Sequence, residues 1–403
     1  MRPGALHREE IRAETLARAA ERAAERTFIH NPLLVISAIA AFATMFFVPP
    51  SPAYLDYFDW HTLVCLFCIL SVLSAIDSCG LLEWTAHSIA EHAKSTRMLV
   101  VALVVATLGC SLVLSNDMTL LTVLPLALVL LKSVNREREV PLAFILITLI
   151  ANLGGMLLPF GNPHNLYLFS VFGVDFSTFV LAMAAPLVVS VVLILVCCLG
   201  VKRSEFHYSK PESIKLSPRH VALYLVLFAI CIAITLNAVN YLLGAVVVIV
   251  ALCVDDHQAF AKTDYTLILT FVFFFVFTGN ISNIPAVSSF FEMLLGTFGA
   301  FLTTLVSSQV ISNLPAAILV SHFSGNWAAI ALGANIGGIG TPISSLATLI
   351  TLRQYQKSGL GHNGRFLARF EAFNFVFLVV LAAFEMLVMG VRRSCETLHK
   401  NIR

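Results

Sequence analysis

Ala151-Asn152-Leu153-Gly154-Gly155, in the first half of the chain, returns in the second half as Ala334-Asn335-Ile336-Gly337-Gly338, each time inside apolar sequence. A Ser-Asn pair precedes each copy, Ser115-Asn116 and Ser312-Asn313. A helix-breaking polar stretch follows each, Gly161-Asn162-Pro163-His164-Asn165 and Gly340-Thr341-Pro342-Ile343-Ser344-Ser345. Apolar segments interrupted by Gly and Pro at corresponding positions of two halves are the sequence mark of a binding site in a secondary transporter.

The composition around the repeat supports that setting. Of 403 residues, 58% are hydrophobic and 12% charged, and the mean hydropathy is +0.88, far too apolar for a water-soluble domain. The fold class expected is an all-α polytopic membrane protein. A net charge of +2 implies no nucleic-acid partner. Most of the nine cysteines fall in apolar runs, as core fillers do, and Cys65-x-x-Cys68 has neither a second pair nor a nearby His-x-x-His to make a zinc site. The first 30 residues lack the apolar core of a signal peptide and mix Arg8, Arg12, Arg18, Arg22 and Arg26 with Glu9, Glu10, Glu14, Glu21 and Glu25, which reads as a charged cytoplasmic helix over 1–30.

Full spans are expected at about 32–48, 60–76, 140–170, 176–200, 219–236, 238–253, 264–280, 327–352 and 366–390. Residues 98–131 and 298–325 instead fold back at their Ser-Asn pairs as re-entrant hairpins. Lys94, Arg97, Lys132, Arg136 and Arg138 flank the first hairpin, whereas residues 263 to 352 contain no Lys or Arg. The first hairpin is therefore expected to open from the cytoplasm and the second from outside. The linker at 201–218 falls inside by the same count. Nine spans place the tail at 391–403 outside, against its own Arg392, Arg393, Lys400 and Arg403. The repeat extends further, because Asp59-Trp60-His61-Thr62-Leu63 resembles Asp264-Tyr265-Thr266-Leu267, and amphipathic pieces follow at about 80–95 and 284–296. One extra span, 219–236, separates the copies, so the second is expected to be inverted relative to the first.

Gly154-Gly155 with Pro159, Gly161 and Pro163, and Gly337-Gly338 with Gly340 and Pro342, are expected to unwind two spans. Freed carbonyls can coordinate a cation, and the new helix N-termini can face an anion. Ser115, Asn116, Asn162, Asn165, Ser312, Asn313, Thr341, Ser344 and Ser345 supply neutral oxygens and amides at these breaks, suited to a small oxygen-rich solute. Ion coupling is assigned to Asp117 with Ser115, Asn116, Gly154, Gly155, Asn313, Gly337 and Gly338, and Na⁺ is a possible ligand at the same hairpin tips. Asp117 is the one acid between Lys94 and Glu137, and can act as a proton carrier, a Na⁺ ligand or a plain helix cap. His164 is a possible proton site or a neutral hydrogen-bonding group. His322 ends the second hairpin at the interface, and Glu385, close to Arg392, reads as a snorkelling or paired residue.

At these residues the chain resembles the ion transporter superfamily, which includes arsenite permeases and the citrate and divalent-anion/sodium symporters. Ser115-Asn116-Asp117-Met118-Thr119-Leu120-Leu121 with Pro125 resembles the Asn-Asp hairpin of arsenite permeases, and Thr341 to Leu349 is similar to their Thr-Pro-Ile-Gly-Ser-Leu-Ala-Thr-Leu. Ser312-Asn313-Leu314-Pro315 is similar to their Asn-Asn-Met-Pro, and Gly161 to Asn165 to a Gly-Asn-Pro-Gln-Asn of related anion permeases. Dicarboxylate symporters carry Ser-Asn-Thr in both hairpins, where this chain has Asp117 and Leu314, and Ala334 to Gly340 lacks the acid found in arsenite permeases. The resemblance implies an elevator-type transporter, dimeric through a scaffold at about 31–97 and 219–297, with a mobile domain at about 98–200 and 298–390.

The function expected is secondary transport of a small anion or oxyanion across the cytoplasmic membrane, coupled to H⁺ or Na⁺, with the N-terminus inside and no cofactor. The alternatives are a passive ion channel and a cation/proton antiporter of the same superfamily. An intramembrane enzyme has no His-Glu-x-x-His and no nucleophile with an adjacent base to support it.

Overall fold

The computed structural model describes residues 32–81, 84, 85, 88, 91, 93–205 and 217–402, with residues 392–402 as backbone alone. The charged segment at 1–30, much of the amphipathic piece at 80–95, most of the linker and the side chains of the tail lie outside this set. Within it the chain is helical, and its extended pairing is one isolated bridge between Ser95 and Glu205.

The helices in order are α1 (Pro32–Met45), α2 (Trp60–Ser78), α3 (Thr96–Val113), α4 (Asn116–Ser133), α5 (Val140–Gly154), α6 (Pro163–Val171), α7 (Phe176–Cys198) and α8 (Pro218–Thr235). There follow α9 (Tyr241–Asp255), α10 (Gln258–Lys262), α11 (Tyr265–Ser282), α12 (Pro285–Ile311), α13 (Asn313–Ser321), α14 (Trp327–Gly337), α15 (Leu346–Lys357) and α16 (Asn363–Ile402). Eight described helices are long and apolar enough to cross a membrane: α2, α3, α4, α7, α8, α11, α12 and α16. This is a multi-pass membrane architecture. α9, expected as a full span, has 15 residues, below the roughly 20 that a bilayer core requires. Asn240 sets the start of α9 by accepting hydrogen bonds from Leu242 N and Leu243 N.

The chain divides into two compact units. The first consists of residues up to Phe58 with Asp264–Ile284, so α1 packs on α11. A polar knot secures it: Asn280 Nδ2 donates to Thr44 Oγ1 at 3.2 Å and to Tyr54 Oη at 2.8 Å. These bonds satisfy the amide nitrogen, while Asn280 Oδ1 is buried without a hydrogen-bond partner.

The second unit, Asp59–Thr263 with Pro285–Arg403, holds both copies of the Ala-Asn-x-Gly-Gly phrase, both Ser-Asn pairs and both helix-breaking stretches. At its centre lies α5, Val-Pro-Leu-Ala-Phe-Ile-Leu-Ile-Thr-Leu-Ile-Ala-Asn-Leu-Gly, which is apolar on every side and buried over nearly its whole length, as a helix with no polar face must be. α14 is its counterpart and is buried from Ala329 to Gly337. By contrast α7 exposes Leu181, Val188, Val192 and Val196, and α16 exposes Val376, Val379 and Leu387. Those are bilayer-facing surfaces.

Both Ser-Asn pairs form the tips of helical hairpins. α3 and α4 meet at Leu114-Ser115, and Ser115 Oγ caps α4 by accepting from Met118 N at 3.5 Å. α12 breaks at Gly299, whose φ of 73° interrupts the helix, so the second hairpin consists of the limb from Ala300 to Ile311 and α13. The limbs of the first hairpin are longer than expected, 18 residues each, or about 27 Å. The two spans at 140–170 and 327–352 are broken as expected, α5 from α6 over residues 155–162 and α14 from α15 over residues 338–345.

The packing repeats as the sequence does. α3 and α4 contact α5, and α12 and α13 contact α14. The return limb of each hairpin also packs on the post-break helix of the other half, α4 on α15 and α13 on α6.

Candidate functional site

Two buried asparagines, Asn152 of the first repeated phrase and Asn335 of the second, organise the region where the hairpin tips and the breaks meet. Asn152 Oδ1 accepts from Asn116 Nδ2 at 2.8 Å and from Ser345 Oγ at 3.2 Å. It thereby ties the tip of the first hairpin to the start of α15. Asn335 Oδ1 accepts from Asn162 Nδ2 at 2.9 Å, and its own Nδ2 donates to Asn165 Oδ1 at 2.7 Å and Ala331 O at 2.8 Å. This ties α14 to the start of α6. In each half the asparagine before the break reaches the residue just after the break of the other half.

The second hairpin joins through the backbone. Asn313 N donates to Ser344 O at 2.9 Å, and Ser312 Oγ donates to the same carbonyl at 3.2 Å. Ser312 holds φ at 75°, a left-handed conformation that costs a non-glycine residue of order 1–3 kcal/mol and is concentrated at functional sites. Ser115 at the other tip lies at φ −59°. The two tips are not equivalent.

The backbone groups freed at the breaks are satisfied from within. Asn165 Nδ2 donates to Gly155 O at 3.1 Å and Met156 O at 3.3 Å. In the second break Gln309 takes that part: its Nε2 donates to Gly337 O at 2.8 Å, its Oε1 accepts from Thr341 N at 3.0 Å, and its carbonyl accepts from Thr341 Oγ1 at 2.8 Å. Ser344 Oγ donates to Gly338 O at 3.0 Å. Gly155, Gly337 and Gly338 carbonyls thus each have one side-chain donor and keep a second lone pair.

Gly154 and Gly337 let the central helices approach the hairpins. A Cβ on Gly337 would stand 2.8 Å from Ser308 Cβ and 3.1 Å from Leu305 Cα, and one on Gly154 would collide with Ser111 Oγ. Ser111 and Ser308 each lie four residues before their Ser-Asn pair.

The structure therefore places the expected residues in three hydrogen-bonded groups, Asn116 with Asn152, Asn162 and Asn165 with Asn335, and Ser312 and Asn313 with Ser344, while Ser115 caps its own helix and Thr341 binds Gln309 across the second break. Asp117 is half-buried in the first turn of α4, its N–H donating to Asn116 Oδ1 at 3.0 Å. His164 is 2% exposed beside the Asn335 amide, and its Nε2 has no hydrogen-bond partner. Asn162 Oδ1 and Thr119 Oγ1 are buried without partners as well. His322 lies exposed at the end of α13. Glu385 is 3% exposed, buried within the protein and not snorkelling at the rim.

Asn152, Asn335 and Gln309 are absent from the site residues expected from sequence. The two asparagines stand in the repeated phrase itself, where the adjacent glycines are the stronger signal of a break. Gln309 carries no repeat signal, since Leu112 occupies the matching place before Ser115.

No Lys or Arg occurs at 98–131, 140–201 or 263–352, the segments that build this region. The N-termini of α4, α6, α13 and α15 begin at the bonded residues, and helix N-termini carry partial positive charge.

The chain matches the family described as citrate transporter over residues 22–325. It is 30% identical to "Uncharacterized transporter MJ0456" of Methanocaldococcus jannaschii over 327 residues, 81% of this chain and 89% of that one. Over 336 residues it is 27% identical to "Inner membrane protein YbiR" of Escherichia coli, again 81% and 89% of the two chains. A mycobacterial relative, "Uncharacterized transporter Rv2684" of Mycobacterium tuberculosis, is 25% identical over 345 residues, 75% of this chain and 79% of that one. A multi-pass protein with eight long apolar helices among its described residues and this match over most of its length is a membrane transporter that belongs to the citrate transporter family.

Proposed function

We propose that the protein is a secondary active transporter of a small anion or oxyanion, an inorganic, arsenite-like or carboxylate species, coupled to H⁺ or Na⁺ in the cytoplasmic membrane. The observation that carries this reading is the buried region itself. Four helix N-termini begin at a neutral network of amides and hydroxyls in segments without cationic side chains, and Asn162 Oδ1 and His164 Nε2 remain unpartnered there. Helix N-termini hold anions through backbone N–H groups, while an orphaned carbonyl oxygen asks for a donor or a cation. A co-transported ion supplies the second.

The coupling role is assigned to Asp117, which stands in the first turn of α4 beside Asn116, as a proton acceptor or a Na⁺ ligand. The repeated packing, with each hairpin return limb against the post-break helix of the opposite half, supports an inverted repeat. It also supports an elevator in which residues 98–200 and 298–390 travel against a dimeric scaffold.

Purified protein in proteoliposomes provides the test. Imposed H⁺ or Na⁺ gradients should drive accumulation of an anion above equilibrium, and Asn116→Ala or Ser312→Ala should raise the substrate KM at least tenfold. Asp117→Asn should abolish gradient-driven accumulation. Flux that only equilibrates would indicate a channel, and unchanged ion dependence in Asp117→Asn would remove the coupling assignment.

A further inference from the structure

Away from the repeated motifs, Asn135, Arg136, Glu137, Arg138, Glu139, Lys202 and Ser204 line a pocket of about 450 Å³. One wall is the turn between α4 and α5, built on Asn135 at φ 55° and bonded through Arg136 N to Leu131 O at 2.8 Å. The other wall is the segment after α7, fastened to the start of α3 by Thr96 N donating to Ser204 O at 2.8 Å and Arg97 Nε donating to Val201 O at 2.9 Å. Both walls are thus held by backbone hydrogen bonds. The pocket lies at the ends of the apolar helices α4, α5 and α7, on the side that the Lys and Arg distribution is expected to place at the cytoplasm.

Arg136 Nε is buried in this wall without a hydrogen-bond partner. A buried charged donor left unsatisfied is unfavourable, and a phosphate oxygen is among its strong, charge-assisted acceptors. Among the described residues Arg136, Arg138 and Lys202 form no ion pair with Glu137 or Glu139. Three cations and two carboxylates leave one net positive charge. That balance suits a singly charged group and disfavours a dianion, which the two glutamates would repel.

We propose that this pocket binds a phosphodiester monoanion, the headgroup linkage of an anionic phospholipid such as phosphatidylglycerol, and so clamps the foot of the first hairpin to the segment after α7. Basic pockets between transmembrane helices on the cytoplasmic side take anionic headgroups in this way. The proposal does not depend on what the protein transports.

Thermal unfolding of the full chain in a neutral detergent tests it, with dioctanoyl phosphatidylglycerol, dioctanoyl phosphatidylcholine and inorganic phosphate as separate additives. Phosphatidylglycerol should raise the Tm saturably, and the other two should need at least tenfold higher concentration for the same shift. Arg136→Gln with Lys202→Gln should raise the half-saturating concentration of phosphatidylglycerol about tenfold. Glu137→Gln with Glu139→Gln should lower it severalfold, a gain that a misfolded variant cannot imitate. Equal shifts from phosphatidylcholine would overturn the proposal, as would a glutamine pair that fails to tighten binding. Inorganic phosphate acting at the same concentration would assign the pocket to free phosphate and overturn the diester.

Discussion

Asn335 illustrates how few atoms hold the site together. Its amide bonds Asn162 on one side and Asn165 and Ala331 on the other, all where water has little access. Asn335→Ala leaves the Asn162 amide and the Asn165 oxygen without these partners, and each unsatisfied buried group costs about 1–3 kcal/mol. Unfolding in detergent should register a loss of about 2–5 kcal/mol, with transport lost in parallel. Gln309→Leu makes a sharper comparison, because it touches only the second break. It should cost about 1–3 kcal/mol and raise the substrate KM while leaving the first-half network of Asn116 and Asn152 intact. A variant that kept both stability and KM would show that the second break needs no side chain to hold its shape.

For the elements, glycines decide where helices stop and how closely they pack. Gly299 sits at φ 73° and ψ 168°, and an alanine methyl there would meet nothing within 4 Å, so Gly299→Ala should cost only the backbone conformation, about 1–3 kcal/mol. Gly337→Ala meets Leu305 backbone and Ser308, neither of which can rotate away. It should lower the Tm by more than Gly299→Ala does, and the order of the two losses in one thermal series checks the argument. The breaks themselves were legible in Gly-Gly and Pro. The lengths of α9 and the limbs of the first hairpin were not, since hydropathy marks an apolar run but not the residue at which a cap such as Asn240 or a tip such as Ser115 ends the helix.

At the scale of the second compact unit, His61 Nδ1 on α2 contacts Ser170 Oγ on α6 at 2.9 Å, with Nε2 facing Ile234 O of α8 at 3.3 Å. At the other end of α2, Thr122 Oγ1 of α4 donates to Asp77 Oδ1 at 3.1 Å. In the elevator reading both pairs join scaffold to moving parts and must separate in each cycle. Cysteines at 61 and 170, in a background lacking the native ones, should oxidise to a cross-link that stops transport until it is reduced. Full turnover with the cross-link closed would exclude relative motion of α2 and α6.

The sequence by itself determined the membrane class, the duplication, both hairpin tips and both unwound segments, because hydropathy and the conformational limits of Gly and Pro act locally. Which side chains meet was decided by tertiary structure. Nothing in the sequence pairs Asn152 with Ser345 or Asn335 with Asn165, and nothing marks Gln309 as the group that satisfies the second break. Those partnerships follow from the packing of each hairpin against the opposite half, which brings residues over 150 positions apart within hydrogen-bonding distance in a region where an unbonded amide is too unfavourable to persist.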